Sequence, residues 1–126
     1  MFGRSPTFLP VRGYMVNDPS QADAAPLASY RFGGVRVNFR KSEITHDGSR
    51  ISLSERESRL LQFLVINRGT TVSRDTLLEY VWGYRRAPFT RTVDVTILRL
   101  RQKIEVDPRR PRFIVTVPGL GYRFDG

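Results

Sequence analysis

Among its 126 residues this chain has no cysteine, a single histidine and only two lysines, Lys41 and Lys103. Without cysteine there is no disulfide framework, no thiol nucleophile and no thiolate-bound zinc. The lone histidine, His46, stands beside Asp47-Gly48, where a turn residue is the simpler explanation. One imidazole leaves almost no material for a Ser–His–Asp triad or a metal site, so neither catalytic nor metal-binding residues are expected. No glycine-rich loop opens a helix in a phosphate-cradling pattern, and no cofactor is expected either. No apolar run approaches the roughly 20 residues of a membrane helix. Pro6, Pro10 and Gly13 break up what would be the apolar centre of a signal peptide. The expectation is a cytoplasmic protein that is not an enzyme.

What the chain has is arginine. Lys+Arg number 21 against 12 Asp+Glu, a net charge of +9, and all but two of the cations are arginine. The guanidinium is a planar fork that pairs with phosphates and with guanine edges, so this bias favours a nucleic-acid partner over general solubility. The charge is also unevenly placed. Arg4, Arg12, Asp18 and Asp23 cancel within residues 1–29, so the whole excess lies in residues 30–126. Between Arg85 and Arg112, nine cations face only Asp94, Glu105 and Asp107. A field concentrated there steers a polyanion to one face.

Residues 1–29 hold Pro6, Pro10, Pro19 and Pro26 and show no sustained period, the composition of a flexible linker or tail. One domain, residues 30–126, follows. Val35, Val37 and Phe39 alternate with polar residues as in a strand with one buried face. Glu43–His46 and Ile51–Leu53 flank Asp47-Gly48, a hairpin signal. Ser54-Glu55-Arg56-Glu57 is a capping box for a helix whose Leu60, Leu61, Phe63, Leu64 and Ile66 mark it as the core helix, ending at Asn67-Arg68-Gly69. A second helix starts at Ser73, carries Leu77, Leu78, Val81 and Trp82, and stops at Gly83. Near the C-terminus, Phe113–Val117 and Tyr122–Phe124 flank Pro118-Gly119-Leu120-Gly121 as a second hairpin.

Between these lies the stretch that gives the chain its character, residues 90–104. Val93, Ile97, Leu100 and Ile104 recur at steps of four, three and four, one stripe of a helix capped by Thr90 and stopped by Asp107-Pro108. The opposite side carries Arg91, Thr92, Val95, Leu98, Arg99 and Gln102. Periodicity alone leaves two readings open: a solvated amphipathic helix, or a helix that reads a DNA major groove, where phosphates, base edges and thymine methyls lie together. Two short helices, the second basic, followed by a hairpin, match a helix-turn-helix with a wing.

At this point the strings are recognisable. Leu53-Ser54-Glu55-Arg56-Glu57, Val72-Ser73-Arg74, Val81-Trp82-Gly83, Arg91-Thr92-Val93-Asp94-Val95, Arg99-Leu100-Arg101 and Val117-Pro118-Gly119-Leu120-Gly121-Tyr122-Arg123-Phe124 occur in order. Residues 30–125 thereby resemble the winged-helix effector domain of OmpR/PhoB-type bacterial response regulators, two-component transcription factors. The resemblance implies an α+β fold: an N-terminal four-stranded antiparallel sheet, three helices and a C-terminal β-hairpin wing. It implies sequence-specific binding of duplex DNA, with homodimers on tandem half-sites and a loop, Tyr84, Arg85 and Arg86 here, that faces RNA polymerase. Carried over by position, Arg99 and Val95 contact bases. Trp82, Arg91, Thr92, Thr96 and Arg101 contact the DNA backbone, and Thr116 and Arg123 belong to the wing that meets backbone or minor groove.

This sequence departs from its relatives at Leu98, where many carry a cation, and at Pro118, where some place an arginine that enters the minor groove. Response regulators also carry a receiver domain, for which residues 1–29 are too short; the chain is expected to be either an effector domain from a longer parent or a stand-alone relative. Two other classes stay in view. A structural RNA-binding protein would show exposed aromatics on a strand or lysine-rich tails, and a protein-docking module would act through the loop at residues 83–90.

Overall fold

The computed structural model describes residues 27–83 and 91–126. Tyr84, Arg85, Arg86 and the Thr90 cap lie outside them. The described residues begin with four short antiparallel strands in sequential order, β1 (Ser29–Phe32), β2 (Val35–Asn38), β3 (Glu43–His46) and β4 (Ser49–Ser52). The pairing aligns Tyr30, Val37, Ile44 and Ile51 in one row. Val37 and Ile44, at its centre, are fully buried. The neighbouring row, on the other face, is Arg31, Arg36, Thr45 and Arg50. The alternation read from Val35 and Val37 is therefore the division between core and solvent. At the β3–β4 turn Asp47 and Gly48 both take positive φ, 51° and 79°, the backbone of a tight two-residue hairpin.

Helix α1 (Glu55–Ile66) starts with both halves of the capping box in place. The Ser54 hydroxyl accepts from the Glu57 amide at 3.0 Å, and the Glu57 carboxylate accepts from the Ser54 amide at 2.9 Å. Its Leu60, Leu61, Phe63, Leu64 and Val65 are buried and form the middle of the core. Leu27 packs against that core and is held by Gln62, whose amide donates to the Leu27 carbonyl. Asn67 caps the helix end, as its sequence suggests.

Strand β5 (Thr71–Val72) then leads into α2 (Arg74–Leu77), capped by Ser73. The helix widens into a π-helical turn over Leu78–Trp82 and ends at Gly83. Arg56 on α1 donates to the Val81 carbonyl, satisfying an acceptor at that loosened end. Helix α3 (Arg91–Ile104) buries Val93, Ile97, Leu100 and Ile104 completely or nearly so, the stripe read from the sequence.

Helix α3 ends at Ile104, the last residue of the periodic stretch, and Asp107-Pro108 lies just beyond it. Glu105 turns its buried carboxylate onto the backbone N–H groups of Arg112, Phe113 and Ile114. Strands β6 (Ile114–Val117) and β7 (Gly121–Phe124) form the C-terminal hairpin, and β5 joins it to give a three-stranded sheet in the order β5-β7-β6. Gly121 has φ 152°, and a Cβ there would lie 2.0 Å from the Val72 carbonyl oxygen, so only glycine lets the hairpin approach β5. The architecture is the winged helix-turn-helix expected.

Candidate nucleic-acid interface

The core stripe of α3 fixes the rotation of the helix and hence what it shows to solvent. Arg91, Thr92, Val95, Leu98, Arg99 and Gln102 are all exposed. Arg91, Thr92, Val95, Thr96 and Arg99 line one shallow depression on this face. Neither Arg91 nor Arg99 forms an ion pair or hydrogen bond with a described residue. Their guanidinium groups are free to meet phosphates or base edges, on a helix about 21 Å long.

Other residues expected at DNA are engaged within the protein. Arg101 donates from Nε and Nη2 to the Ile114 carbonyl, and from Nη2 to the Thr116 hydroxyl at 2.8 Å. Burial pushes its pKa down. Arg101 thereby braces the helix against the wing. Thr96 is 7% exposed and spends its only proton on the Thr92 carbonyl, and a phosphate needs that proton. Arg123 makes a two-point pair with Asp125 at 2.7 and 2.9 Å, so its charge is answered locally. Trp82 is half-buried against the core with the Arg56 guanidinium 5.4 Å from its ring centre. Thr116 is exposed on the wing and accepts from Arg101, while no described acceptor takes its own proton.

Sequence reading did not identify the joint behind this face. Asp94, on the flank of α3, accepts from Arg74 Nε of α2 at 2.7 Å and from the Tyr122 hydroxyl of β7 at 2.5 Å, both on Oδ1. The Arg74 and Arg101 guanidinium carbons lie 5.3 and 5.6 Å from the Tyr122 ring centre. Burial raises the Asp94 carboxyl, but the Tyr122 hydroxyl and Arg74 outweigh it and hold the pKa below the usual range. Burial, with Asp94 adding to it, raises the Tyr122 hydroxyl, keeping it a donor. At the other end of α3, Lys103 reaches the Glu57 carboxylate at 2.7 Å and the Ser52 carbonyl at 2.8 Å. Helix α3 is thus tied to α2, the wing, α1 and the first sheet. A tyrosine four residues after a proline carries no sequence signal for such a role, since the partner carboxylate is 28 residues away.

Among the described residues no helix is long and apolar enough to cross a membrane, and no group of acidic or histidine side chains is placed to hold a metal ion. Residues 48–124 match the family described as "Transcriptional regulatory protein, C terminal". The chain belongs to that family. As a C-terminal regulatory domain it is 39% identical over 110 residues to the sensory transduction protein RegX3 of Mycolicibacterium smegmatis, covering 87% of this chain and 47% of the relative. It is 40% identical over 98 residues to the DNA-binding response regulator MtrA of the same organism, covering 78% and 43%. Among solved structures it is similar to response regulator DrrB of Thermotoga maritima, an OmpR/PhoB homolog, with TM-score 0.70, 39% identity and coverage of 79% and 45%. It is also similar to the DNA-binding domain of Klebsiella pneumoniae RstA, solved in complex with the RstA box, with TM-score 0.69, 29% identity and coverage of 79% and 98%. The chain spans about half the length of the curated relatives it matches. It is an effector domain of the OmpR/PhoB type, as the sequence motifs imply.

Proposed function

We propose that this domain binds duplex DNA with sequence preference and regulates transcription, with α3 in the major groove and the β6–β7 hairpin against the backbone or minor groove. One observation carries the reading. Arg91, Thr92, Val95, Leu98, Arg99 and Gln102 are exposed together on the side of α3 opposite a fully buried stripe. That face combines uncommitted guanidinium groups, a hydroxyl, an amide and aliphatic groups, the set needed for phosphates, base edges and thymine methyls at once. The likeness to the RstA domain, solved with its DNA box, supports it.

In this reading Arg99 and Val95 contact bases, Arg91, Thr92 and Trp82 contact the backbone, and Thr116 contacts it from the wing. Arg101 holds the wing in place, while Thr96 and Arg123 remain engaged within the protein. Pairing of two copies on tandem half-sites, a receiver domain in a longer parent chain and contact with RNA polymerase through the loop at residues 83–90 belong to the same proposal. They rest on the family and on relatives about twice as long.

The test is selection of bound sequences from a random duplex pool, followed by affinity against ionic strength. A single enriched direct repeat, bound far more tightly than random duplex, supports the reading and gives the spacing of paired copies. Equal binding of all duplexes, or tighter binding to structured RNA, overturns it.

A further inference from the structure

Among the described residues the large apolar side chains left exposed are Val95, Leu98, Val106 and Leu120. Two of these four stand three residues apart on the outer face of α3: Val95 at 40% exposure and Leu98 at 51%. The helix does not need Leu98 for its fold, because Val93, Ile97, Leu100 and Ile104 already fill the core side. Its neighbours one turn away are Val95, Arg101 and Gln102, with Arg91 and Arg99 further along and around the helix. An isobutyl group among cations gains nothing from water, and it has no donor or acceptor with which to read a base edge. The major groove offers one apolar feature that such a group can recognise, the C5-methyl of thymine.

We infer that Leu98 is a specificity-determining residue that packs on a thymine methyl, next to a second thymine read by Val95. The inference rests on the proposed DNA-binding reading and names the base that one position of its site prefers. The spacing supports the pair. Three residues advance 4.5 Å along a helix axis, against about 3.4 Å per base pair along a strand, so the two side chains meet neighbouring base pairs. Arg99, one turn on from Val95 and lining the same depression, supplies the polar contact that sets the register. A cation at this position would seek a guanine edge or a phosphate, whereas leucine rewards only the methyl group.

The experiment uses the full 126-residue chain. After a preferred site has been selected from a random duplex pool, each thymine in it is replaced singly by uracil, which removes the methyl and keeps the pairing edge. Affinities are measured for the wild type, Leu98→Ala and Leu98→Arg. At one thymine the uracil substitution weakens the wild type about fourfold, the worth of one buried methyl group, and leaves Leu98→Ala unchanged. Fresh selection with Leu98→Arg replaces that thymine by guanine. Because Leu98 is exposed, the thermal midpoints of the variants match the parent's. The inference is overturned if the wild type selects a site yet Leu98→Ala selects the same one with the same sensitivity to uracil at every thymine. A wild type that selects no site at all instead overturns the DNA-binding reading beneath it.

Discussion

Arg99 and Arg101 stand two positions apart on one helix, and the two sides they belong to do different work. The outer side, with Arg91, Val95, Leu98 and Arg99, is exposed and makes no bond to the rest of the described chain. The seam beside it, with Asp94 and Arg101, is held to α2 and the wing through Arg74, Tyr122, Ile114 and Thr116. A site that must meet a charged partner in a fixed pose needs both: groups left free to bind, and groups spent on holding them still. The same residue type serves either purpose. What decides is whether a carbonyl or carboxylate of the protein lies within reach.

The largest effect should come from the seam. Arg101→Ala removes charged donors from the Ile114 carbonyl and from Thr116 and should destabilise the fold by about 2–3 kcal/mol, seen as a thermal midpoint lower by about 10 °C or more. An unchanged midpoint would show that the helix and wing do not depend on this brace. Next, Arg99→Ala should leave the midpoint alone and cost about 1–3 kcal/mol of affinity for the preferred site, with relaxed base preference. Equal losses in stability for the two variants would erase the distinction between the sides.

Carboxylates come third. Burial raises the Glu57 carboxyl, but Lys103 and Ser54 outweigh it and hold its pKa below the ordinary range; Asp94 is likewise lowered. A carboxyl lower in the folded chain than in the unfolded one adds stability that is fully present above its unfolded value and is lost as pH falls through the folded one. Stability should therefore hold down to about pH 4 and decline below it. Glu57→Gln, which keeps the cap but loses the ion pair, should be about 1–2 kcal/mol less stable at pH 7 and show a shallower acid decline by circular dichroism. Smallest is Arg91→Ala. It should weaken all duplexes alike and lower the slope of log affinity against log salt by about one.

The free side was readable from the sequence because it follows from periodicity. Four apolar residues at steps of four, three and four fix the rotation of α3, and every residue assigned outward from that rotation is exposed. The caps at Ser54 and Ser73 were readable for a similar reason, since a cap and its partner amide are three residues apart. The seam was not. Arg101 meets Ile114 across 13 residues, and Asp94 meets Tyr122 across 28. Nothing in a local pattern distinguishes an arginine that will find a carbonyl from one that will not. Strand β5 escaped too, because two residues show no alternation and pair only once the hairpin arrives.

Glu105 has an effect on how freely the chain around it can vary. With three amides of the strand entry gripped by one carboxylate, the segment from Val106 to Pro111 carries little responsibility for where the wing sits. It can accept changes of residue and of length, since lengthening a short surface loop costs only tenths of a kcal/mol. Two glycines inserted between Arg109 and Arg110 should leave the melting temperature almost where it was, whereas Glu105→Ala should lower it clearly. In a lineage of such domains this would be the place where insertions accumulate without disturbing the distance between the reading helix and its hairpin.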